Sequence, residues 1–381
     1  MNIQANGLDL AVIAAYLVGT TVFGCSFYFR RGSGGAADDF TKGGGRLPGW
    51  ALALSVFATY VSSISFLALP AKAYLESWNA LVLSFSIPFA ATAAAVWFVP
   101  FYRRQTSASA YSFLEVRFGV WARLYASGCF LVMQSVRSGM ILFLLALLLK
   151  TMLGFSVPAV ICAIGLATTL YAMMGGLRAV VWTDAVQAVI LIGGALVCLV
   201  VLACALPAGL AAGVSSAWKA GKLSFGDLSV TDWSRETFWV TFVYGVFLNL
   251  QNFGIDQSYT QRYVAARTGR EAVRSMFAGA MLYVPVSLVF VAIGTLLWAW
   301  VAAHPGAVPA DVLAKSDAVF PWFIVHRLPV GVSGLLVAAI IAAASTSRAS
   351  PWRRMGVPTT ARRLSMTGLI RRLVTSPEIV C

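Results

Sequence analysis

The chain has 381 residues, of which 59% are hydrophobic and 11% are charged, and its mean hydropathy is +0.81. Soluble globular proteins carry about 45–50% apolar and about 25% charged residues. The composition therefore argues against a water-soluble enzyme and predicts an all-α polytopic membrane protein. The two histidines, His304 and His326, fall in candidate loops. A histidine metal site or a Ser/His/Asp triad in the core is therefore not expected.

The net charge of +14 is concentrated at the end of the chain, because residues 348–381 contain seven arginines and one acid. Surplus Lys and Arg in a membrane protein usually mark cytoplasmic loops. The alternative is nucleic-acid binding, which would need a basic and aromatic soluble module, and none is visible. We therefore expect a lipid bilayer, and no nucleic acid, as a partner.

Hydrophobic runs long enough to cross a bilayer recur along residues 1–347. A spanning helix needs about 20 mostly apolar residues. Nine candidate spans meet this pattern: Leu8–Phe29, Trp50–Leu69, Ala80–Phe101, Leu124–Leu149, Val157–Met174, Val180–Cys204, Thr237–Phe253, Met276–Ala302 and Val330–Thr346.

The loops between these spans differ in positive charge. Thirteen Lys and Arg residues follow the odd-numbered spans, and seven follow the even-numbered ones. Cytoplasmic loops carry the excess of Lys and Arg. This asymmetry predicts an N-terminus outside the cell and a cytoplasmic C-terminal tail.

Polar residues interrupt two of the spans. The second span contains Thr59, Ser62, Ser63 and Ser65, and the inner end of the seventh contains Asn249, Gln251, Asn252 and Asp256. Polar groups at bilayer depth are costly unless they face protein or a water-filled cavity. The alternative for each Ser or Thr is a hydroxyl bonded to its own helix. The clustering favours broken helices that line a cavity.

Four stretches in this order resemble the sodium:solute symporter family. They are GRLPGWALALSVFATYVSSISFLALP (45–70), SAYSFLEVRFG (109–119), GGLRAVVWTDAVQ (175–187) and DQSYTQRYVA (256–265). The resemblance implies an inverted-repeat (LeuT-like) transporter fold with one extra helix before a ten-helix core. Spans two to six would form the first repeat. Spans seven to nine would begin a second repeat that is incomplete, since its last two helices are missing.

The resemblance also implies a sodium site. Ala58 and Val61 would supply backbone oxygens from the first core helix. A third backbone oxygen and two side-chain oxygens would come from the ninth span, at Ala342, Ser345 and Thr346. The alternative for the last two residues is a plain helix terminus. A partly unwound helix with free carbonyls can coordinate Na⁺ independently of any family name.

Asp184 lies near the cytoplasmic end of a helix, where a carboxylate could attract Na⁺ or guide its exit. In some family members the matching Asp joins a second sodium site with serines of the eighth core helix. Arg348 and Ala349 stand where those serines should fall, which argues against that second site here. The alternative is an Asp184 paired with a loop arginine such as Arg178.

The same resemblance assigns substrate and gate residues. Ser62, Ser65 and Ser84 match positions that face substrate in sugar and sialic-acid members, and Asn249 matches an Asn that contacts sugar. Asn252 and Phe253 match the inner gate, where a sugar-transporting relative has an aromatic pair. An Asn at 252 departs from that pattern.

Arg137 lies deep in the fourth span, and an Arg at the bilayer centre costs at least about 2.5–3.5 kcal/mol on insertion scales. Sialic-acid transporters have a matching Arg that binds the carboxylate of the sugar. A planar guanidinium binds a carboxylate through two parallel hydrogen bonds, which suits that task. The alternative is an Arg paired with a structural acid.

These observations predict a sodium-coupled secondary transporter of an organic solute, such as sialic acid, in a bacterial inner membrane. Na⁺ would be the co-transported ion. A monocarboxylate or vitamin symporter is one alternative, and a non-transporting remnant or a solute sensor is another. Residues 1–347 would form the transporter domain. Residues 348–381 would be a basic tail, disordered or out of frame. Because alternating access needs both repeats and the second would be incomplete, the chain as it stands is not expected to transport.

Overall fold

The computed structural model describes residues 7–29, 47–61, 63–104, 111–154 and 156–346. Three sets of residues called above lie outside this description. They are Ser62, the tail at 348–381, and the side chains of Ala342, Ser345 and Thr346.

The described residues form helices and contain no β-strand, apart from one isolated parallel bridge between Leu47 and Ala266. In chain order the helices are α1 Gly7–Phe29, α2 Gly49–Tyr60, α3 Ser63–Leu75, α4 Asn79–Phe85, α5 Ile87–Ala93, a π-helical turn Ala94–Phe98, α6 Val99–Arg104, α7 Ser112–Phe118, α8 Val120–Leu153, α9 Val157–Cys204, α10 Gly209–Lys219, α11 Phe238–Gly254, α12 Gln257–Ala265, α13 Gly269–Ala303, α14 Ala310–Leu313, α15 Ser316–Arg327 and α16 Val332–Thr346. The predicted all-α fold is confirmed.

Every predicted span contains a helix. Five helical segments of the described chain are long and apolar enough to cross a membrane, and the number rises to seven if each of two bent helix pairs forms one span. Two shorter apolar segments, Val157–Leu166 and Val332–Ile341, fall in the predicted fifth and ninth spans. The total of nine stays a prediction.

The two bent pairs stand in corresponding places of the predicted repeats. Helices α2 and α3 meet at 53°, and helices α11 and α12 meet at 52°. The first pair opens the predicted first repeat, and the second pair opens the second. Discontinuous helices at matching positions of two repeats are typical of inverted-repeat transporters and mark the binding site.

Helix α13 supports both halves of the first broken helix. It packs against α2 and α3, and two of its glycines allow the close approach. A Cβ at Gly279 would meet the Ala53 carbonyl and the Val56 Cβ, and one at Gly294 would meet the Pro70 carbonyl. Only glycine fits where two backbones come this close.

The predicted fifth and sixth spans are two helical segments of α9, which a non-helical Gly176 (φ 67°, ψ −170°) separates. A difference from the sequence prediction lies between the eighth and ninth spans. Helix α15 lies where a loop is predicted and contains His326. It is too short to give a span signal, but Phe320 and Phe323 are fully buried, so tertiary packing stabilises it.

Candidate functional site

The break in the first core helix lies at the predicted hydroxyl cluster. Helix α2 ends at Tyr60, and the next residue, Val61, is buried in an extended conformation (φ −75°, ψ 99°). The Thr59 hydroxyl donates to the Ser55 carbonyl at 2.7 Å. For Thr59 the alternative of a hydroxyl bonded to its own helix therefore holds.

The predicted sodium ligands lie on neighbouring elements. Ala58 is half-buried in the last turn of α2, and Val61 is buried just after it. Helix α16 remains helical through Ala342, Ser345 and Thr346, and it packs against α3, which continues from the break. The predicted ligands of α16 thus lie on a helix that contacts the second half of the broken span, whereas Ala58 belongs to its first half.

The second break, between α11 and α12, has its freed carbonyls bound by tyrosines. The Tyr263 hydroxyl donates to the Phe253 carbonyl at 2.9 Å, and the Tyr102 hydroxyl donates to the Gly254 carbonyl at 2.8 Å. The Tyr111 hydroxyl reaches the Ile255 carbonyl at 3.5 Å. These hydrogen bonds satisfy the carbonyls that the bend frees, so protein contacts hold this joint.

Outside the spanning segments, Tyr111, the residue that precedes α7, contacts the same joint. Burial raises the pKa of its hydroxyl above the usual value, and the nearby Asp256 and Tyr102 raise it further. The hydroxyl therefore stays protonated and can donate at physiological pH. Asp256 is the N-cap residue of α12, and its carboxylate accepts a hydrogen bond from the Ser258 amide at 2.6 Å.

Asn249 is fully buried, and its side-chain amide is already engaged. Its Oδ1 accepts from the Tyr60 hydroxyl at 2.5 Å, and its Nδ2 donates to the Ser86 hydroxyl at 2.9 Å. Ser84 is also buried on α4, yet the serine that reaches Asn249 is Ser86. Ser65 is half-buried in α3.

Tyr60, which bonds this amide, belongs to a cluster of aromatic rings. We call Tyr60, Phe253, Tyr259 and Tyr283 the aromatic cluster. Phe253 is fully buried and stacks on Tyr60 at a centroid distance of 6.1 Å, and it meets Tyr259 edge-on at 5.4 Å. Tyr283 of α13 lies 4.3 Å from Tyr60. Asn252 is only half-buried. The aromatic partner of Phe253 therefore comes from the first core helix, through Tyr60, and not from position 252.

A buried ion pair joins three helices. The Arg262 guanidinium donates through Nη2 to Asp184 Oδ2 at 2.7 Å and through Nε to the Ser55 hydroxyl at 2.7 Å. The Ser55 hydroxyl donates to the same Asp184 oxygen at 2.6 Å. Both charged side chains are at least 95% buried. The arginine that pairs with Asp184 is Arg262 rather than a loop residue such as Arg178.

Arg262 corrects the count of loop charges. The prediction places it in a cytoplasmic loop, whereas the structure places it inside α12, with its side chain 5% exposed. The segment is too polar to look like a helix within the membrane, and it is buried by protein rather than lipid. Without Arg262 the asymmetry is twelve against seven, so the predicted orientation keeps its support.

Arg137 projects from the middle of α8 and is exposed. Its charge is close enough to Tyr259 of α12 to interact with it electrostatically. An Arg at this depth of a span needs an anionic partner or an aqueous cavity.

Two functional candidates were missed from the sequence, Tyr60 and Arg262. Both lie in stretches that resemble the symporter family, Tyr60 in residues 45–70 and Arg262 in residues 256–265. Their polar groups inside otherwise apolar or buried segments are the signal that could have identified them. Their partners are remote in sequence, so the contacts themselves could not be derived.

Comparison with known proteins identifies relatives for this arrangement. Residues 40–349 match the sodium:solute symporter family. The sodium/sialic acid symporter SiaT of Proteus mirabilis is 33% identical over 343 residues, covering 90% of this chain and 68% of SiaT. The sodium/sialic acid symporter NanT of Aliivibrio fischeri is 33% identical over 352 residues, covering 92% of this chain and 68% of NanT. Human sodium-coupled monocarboxylate transporter 1 is 29% identical over 269 residues, covering 71% of this chain and 44% of that protein.

A solved structure shows the same fold. It is a Na⁺-coupled sialic acid symporter in a substrate-bound outward-open state, with a TM-score of 0.86 and 32% sequence identity. The match covers 94% of this chain and 76% of that chain.

Proposed function

Because this chain belongs to the sodium:solute symporter family, we propose that it binds Na⁺ together with a carboxylated organic solute, such as sialic acid, and couples their movement across the membrane. The observation that carries the substrate class is Arg137, an exposed guanidinium in the middle of α8. A positive charge at that depth needs an anionic partner or an aqueous cavity. The similarity to two sialic acid symporters over nine-tenths of the chain supports the same class.

Sodium would bind between the α2–α3 break and α16. Ala58, Val61 and Ala342 would offer backbone oxygens, and Ser345 and Thr346 would offer hydroxyls. A cation there links two helices that otherwise only pack against each other. By linkage, Na⁺ raises the affinity for solute as much as solute raises the affinity for Na⁺. A role for Asp184 in this site would compete with its ion pair to Arg262.

The solute would lie above the aromatic cluster. Ser62, Ser65 and Ser84 supply hydroxyls, and Arg137 binds the carboxylate. Asn249 already forms hydrogen bonds to Tyr60 and Ser86, so its first role is to fix the positions of these two side chains at the base of the site. Tyr60, Phe253 and Asn252 form the inner gate, and the Arg262–Asp184 pair closes the path below it.

Orientation follows from the loop charges. We place the N-terminus outside and the C-terminal tail in the cytoplasm of a bacterial cell, supported by the twelve-to-seven excess of Lys and Arg after the odd-numbered spans. Helix α1 then runs inward from the outer surface, and α16 runs in the same direction.

The test is binding and uptake by the purified chain in proteoliposomes. Radiolabelled N-acetylneuraminic acid should bind with Na⁺ and only weakly when choline replaces Na⁺. Lactate and biotin serve as competitors for the monocarboxylate and vitamin alternatives, and stronger competition by either than by sialic acid would overturn the substrate class. Sodium-dependent binding without uptake would favour the sensor or remnant. Absence of any sodium-dependent binding would overturn the proposal.

The sodium ligands can be removed without changing side-chain volume greatly. In Ser345→Ala with Thr346→Val, both hydroxyl ligands are lost, and we expect the sodium concentration for half-maximal binding to rise at least about tenfold, which corresponds to about 1.4 kcal/mol. Ser347→Ala, one residue further on, is the matched control. An unchanged sodium titration in the double variant would contradict this assignment.

Tyr60 can be tested through its hydroxyl alone. Tyr60→Phe keeps the ring but leaves the buried Asn249 Oδ1 without its donor, which costs about 1–3 kcal/mol. The closed gate should open more often, so a cysteine at position 252 (Asn252→Cys) should react at least about fivefold faster with a membrane-impermeant maleimide from the cytoplasmic face. Tyr244→Phe, an exposed tyrosine of α11, is the control. Equal labelling rates with and without the Tyr60→Phe change would remove Tyr60 from the gate.

A further inference from the structure

Helix α16 begins without a capping side chain of its own. Gly331 precedes the helix, and its carbonyl accepts the first helical hydrogen bond, from the Leu335 amide at 3.0 Å. It therefore stands at the N-cap position, where a side-chain oxygen normally binds the free amides of the first turn. Gly331 has no side chain, and its φ of 89° suits glycine.

A carboxylate from the other end of the chain takes that place. Asp9 Oδ1 accepts from the Gly331 amide at 2.7 Å and from the Gly334 amide at 3.1 Å. Asp9 lies in the first turn of α1. The two N-termini thus meet at one carboxylate, which stabilises the positive ends of both helix dipoles.

The backbones of α1 and α16 also approach each other closely at this hydrogen-bonded contact. A Cβ built on Gly334 would lie 2.8 Å from both the Cα and the carbonyl oxygen of Asp9. Helices α1 and α16 therefore touch backbone to backbone at this point, and α1 also packs along α9. The helix that precedes the predicted ten-helix core is thus fastened to the outer end of α16.

The inner end of the same helix carries the proposed sodium ligands. Ala342 lies eleven positions after Gly331, or about 16 Å along the helix axis at 1.5 Å per residue. A helix held at one end keeps its axial position and rotation at the other. The placement of Ala342, Ser345 and Thr346 beside the α2–α3 break then depends on the cap.

We propose that Asp9 is a positioning residue for sodium binding, which acts by capping α16 from α1. This inference rests on the proposed sodium site. It assigns to the extra first helix a role in setting ion affinity rather than in contacting ion or solute.

Three variants of the full chain test the proposal. Asp9→Ala removes both hydrogen bonds, whereas Asp9→Asn keeps an acceptor oxygen without the charge. Asp311→Ala removes an exposed acid from the first turn of α14 and is the control. The measurements are the sodium concentration for half-maximal binding of N-acetylneuraminic acid and the dissociation constant of that acid at saturating Na⁺.

We expect Asp9→Ala to raise the half-maximal sodium concentration at least fivefold and to change the dissociation constant at saturating Na⁺ by less than twofold. Asp9→Asn should stay within twofold of the native chain in both. Equal loss of sodium and solute affinity in Asp9→Ala, or an unchanged sodium titration, overturns the proposal. If Asp9→Ala does not fold, Asp9→Glu, which displaces the oxygen by one methylene, must show the sodium effect.

Hydrogen–deuterium exchange separates this inference from the proposed function. The amides of residues 331–335 should exchange at least tenfold faster in Asp9→Ala than in Asp9→Asn, whether or not Na⁺ binds. Unchanged exchange overturns the cap while leaving the proposed function intact. Faster exchange in a chain whose native form shows no response to Na⁺ overturns the proposed function, and the role in sodium binding with it.

Discussion

Arg137→Lys is expected to weaken the binding of a carboxylated solute by about 10- to 100-fold. A hydrogen bond to a charged group contributes about 1.5–3 kcal/mol. Lysine keeps the positive charge but loses the planar pair of donors that matches a carboxylate, so this exchange is not conservative at such a site. The measurement is equilibrium binding of N-acetylneuraminic acid at saturating Na⁺.

The ligand provides the second half of this experiment. The methyl ester of the same sugar has no charged carboxylate, and it should bind the native chain weakly and the Arg137→Lys variant no more weakly than that. Arg117→Lys, at an exposed position of α7, is the control and should leave binding unchanged. If the ester competes as well as the acid does, Arg137 does not recognise a carboxylate.

Much of the fold could be predicted because the bilayer imposes simple rules on sequence. Apolar runs of about 20 residues predict helices, and polar clusters within them predict breaks, as at Tyr60–Ser63. Helix α12 could not be predicted in this way. Its residues are polar, and they are buried against α6 and α13 rather than by lipid. Hydropathy measures the affinity of a segment for lipid, and it does not report whether that segment is buried within the protein.

The sequence points to candidate residues but not to their contacts. Asn249, Phe253 and Asp184 are singled out by the resemblance, and each of them is buried. What they touch depends on chain segments far away. Tyr60 reaches Asn249 across 189 positions. No local pattern carries that information, so the floor of the site appears only in three dimensions.

The same limit applies to Asp184. A buried carboxylate needs a partner, and composition alone indicates a basic residue. The sequence offers many, and Arg178 is the nearest along the chain. The partner is Arg262, 78 positions away, because the bend between α11 and α12 turns the polar segment inward. A sodium role for Asp184 remains a prediction that this pairing makes harder to satisfy.

Arg262→Ala should produce the largest loss of stability of any single change considered. The substitution leaves the Asp184 carboxylate buried, and within the described part of the chain the Ser55 hydroxyl is then its one side-chain donor. Breaking one side of a buried ion pair costs about 3–5 kcal/mol. We expect the free energy of unfolding, measured by titration with sodium dodecyl sulfate in mixed micelles, to fall by about that amount.

The double variant Asp184→Asn with Arg262→Gln distinguishes a charge effect from lost packing. It removes both charges and keeps groups able to hydrogen bond, so it should be more stable than Arg262→Ala alone. The exposed pair of Arg123 and Glu115 is the matched control. Both side chains are about one-third exposed, and Arg123→Ala should cost less than about 1 kcal/mol. If Arg262→Ala costs no more than Arg123→Ala, the buried pair does not stabilise the fold in the way proposed.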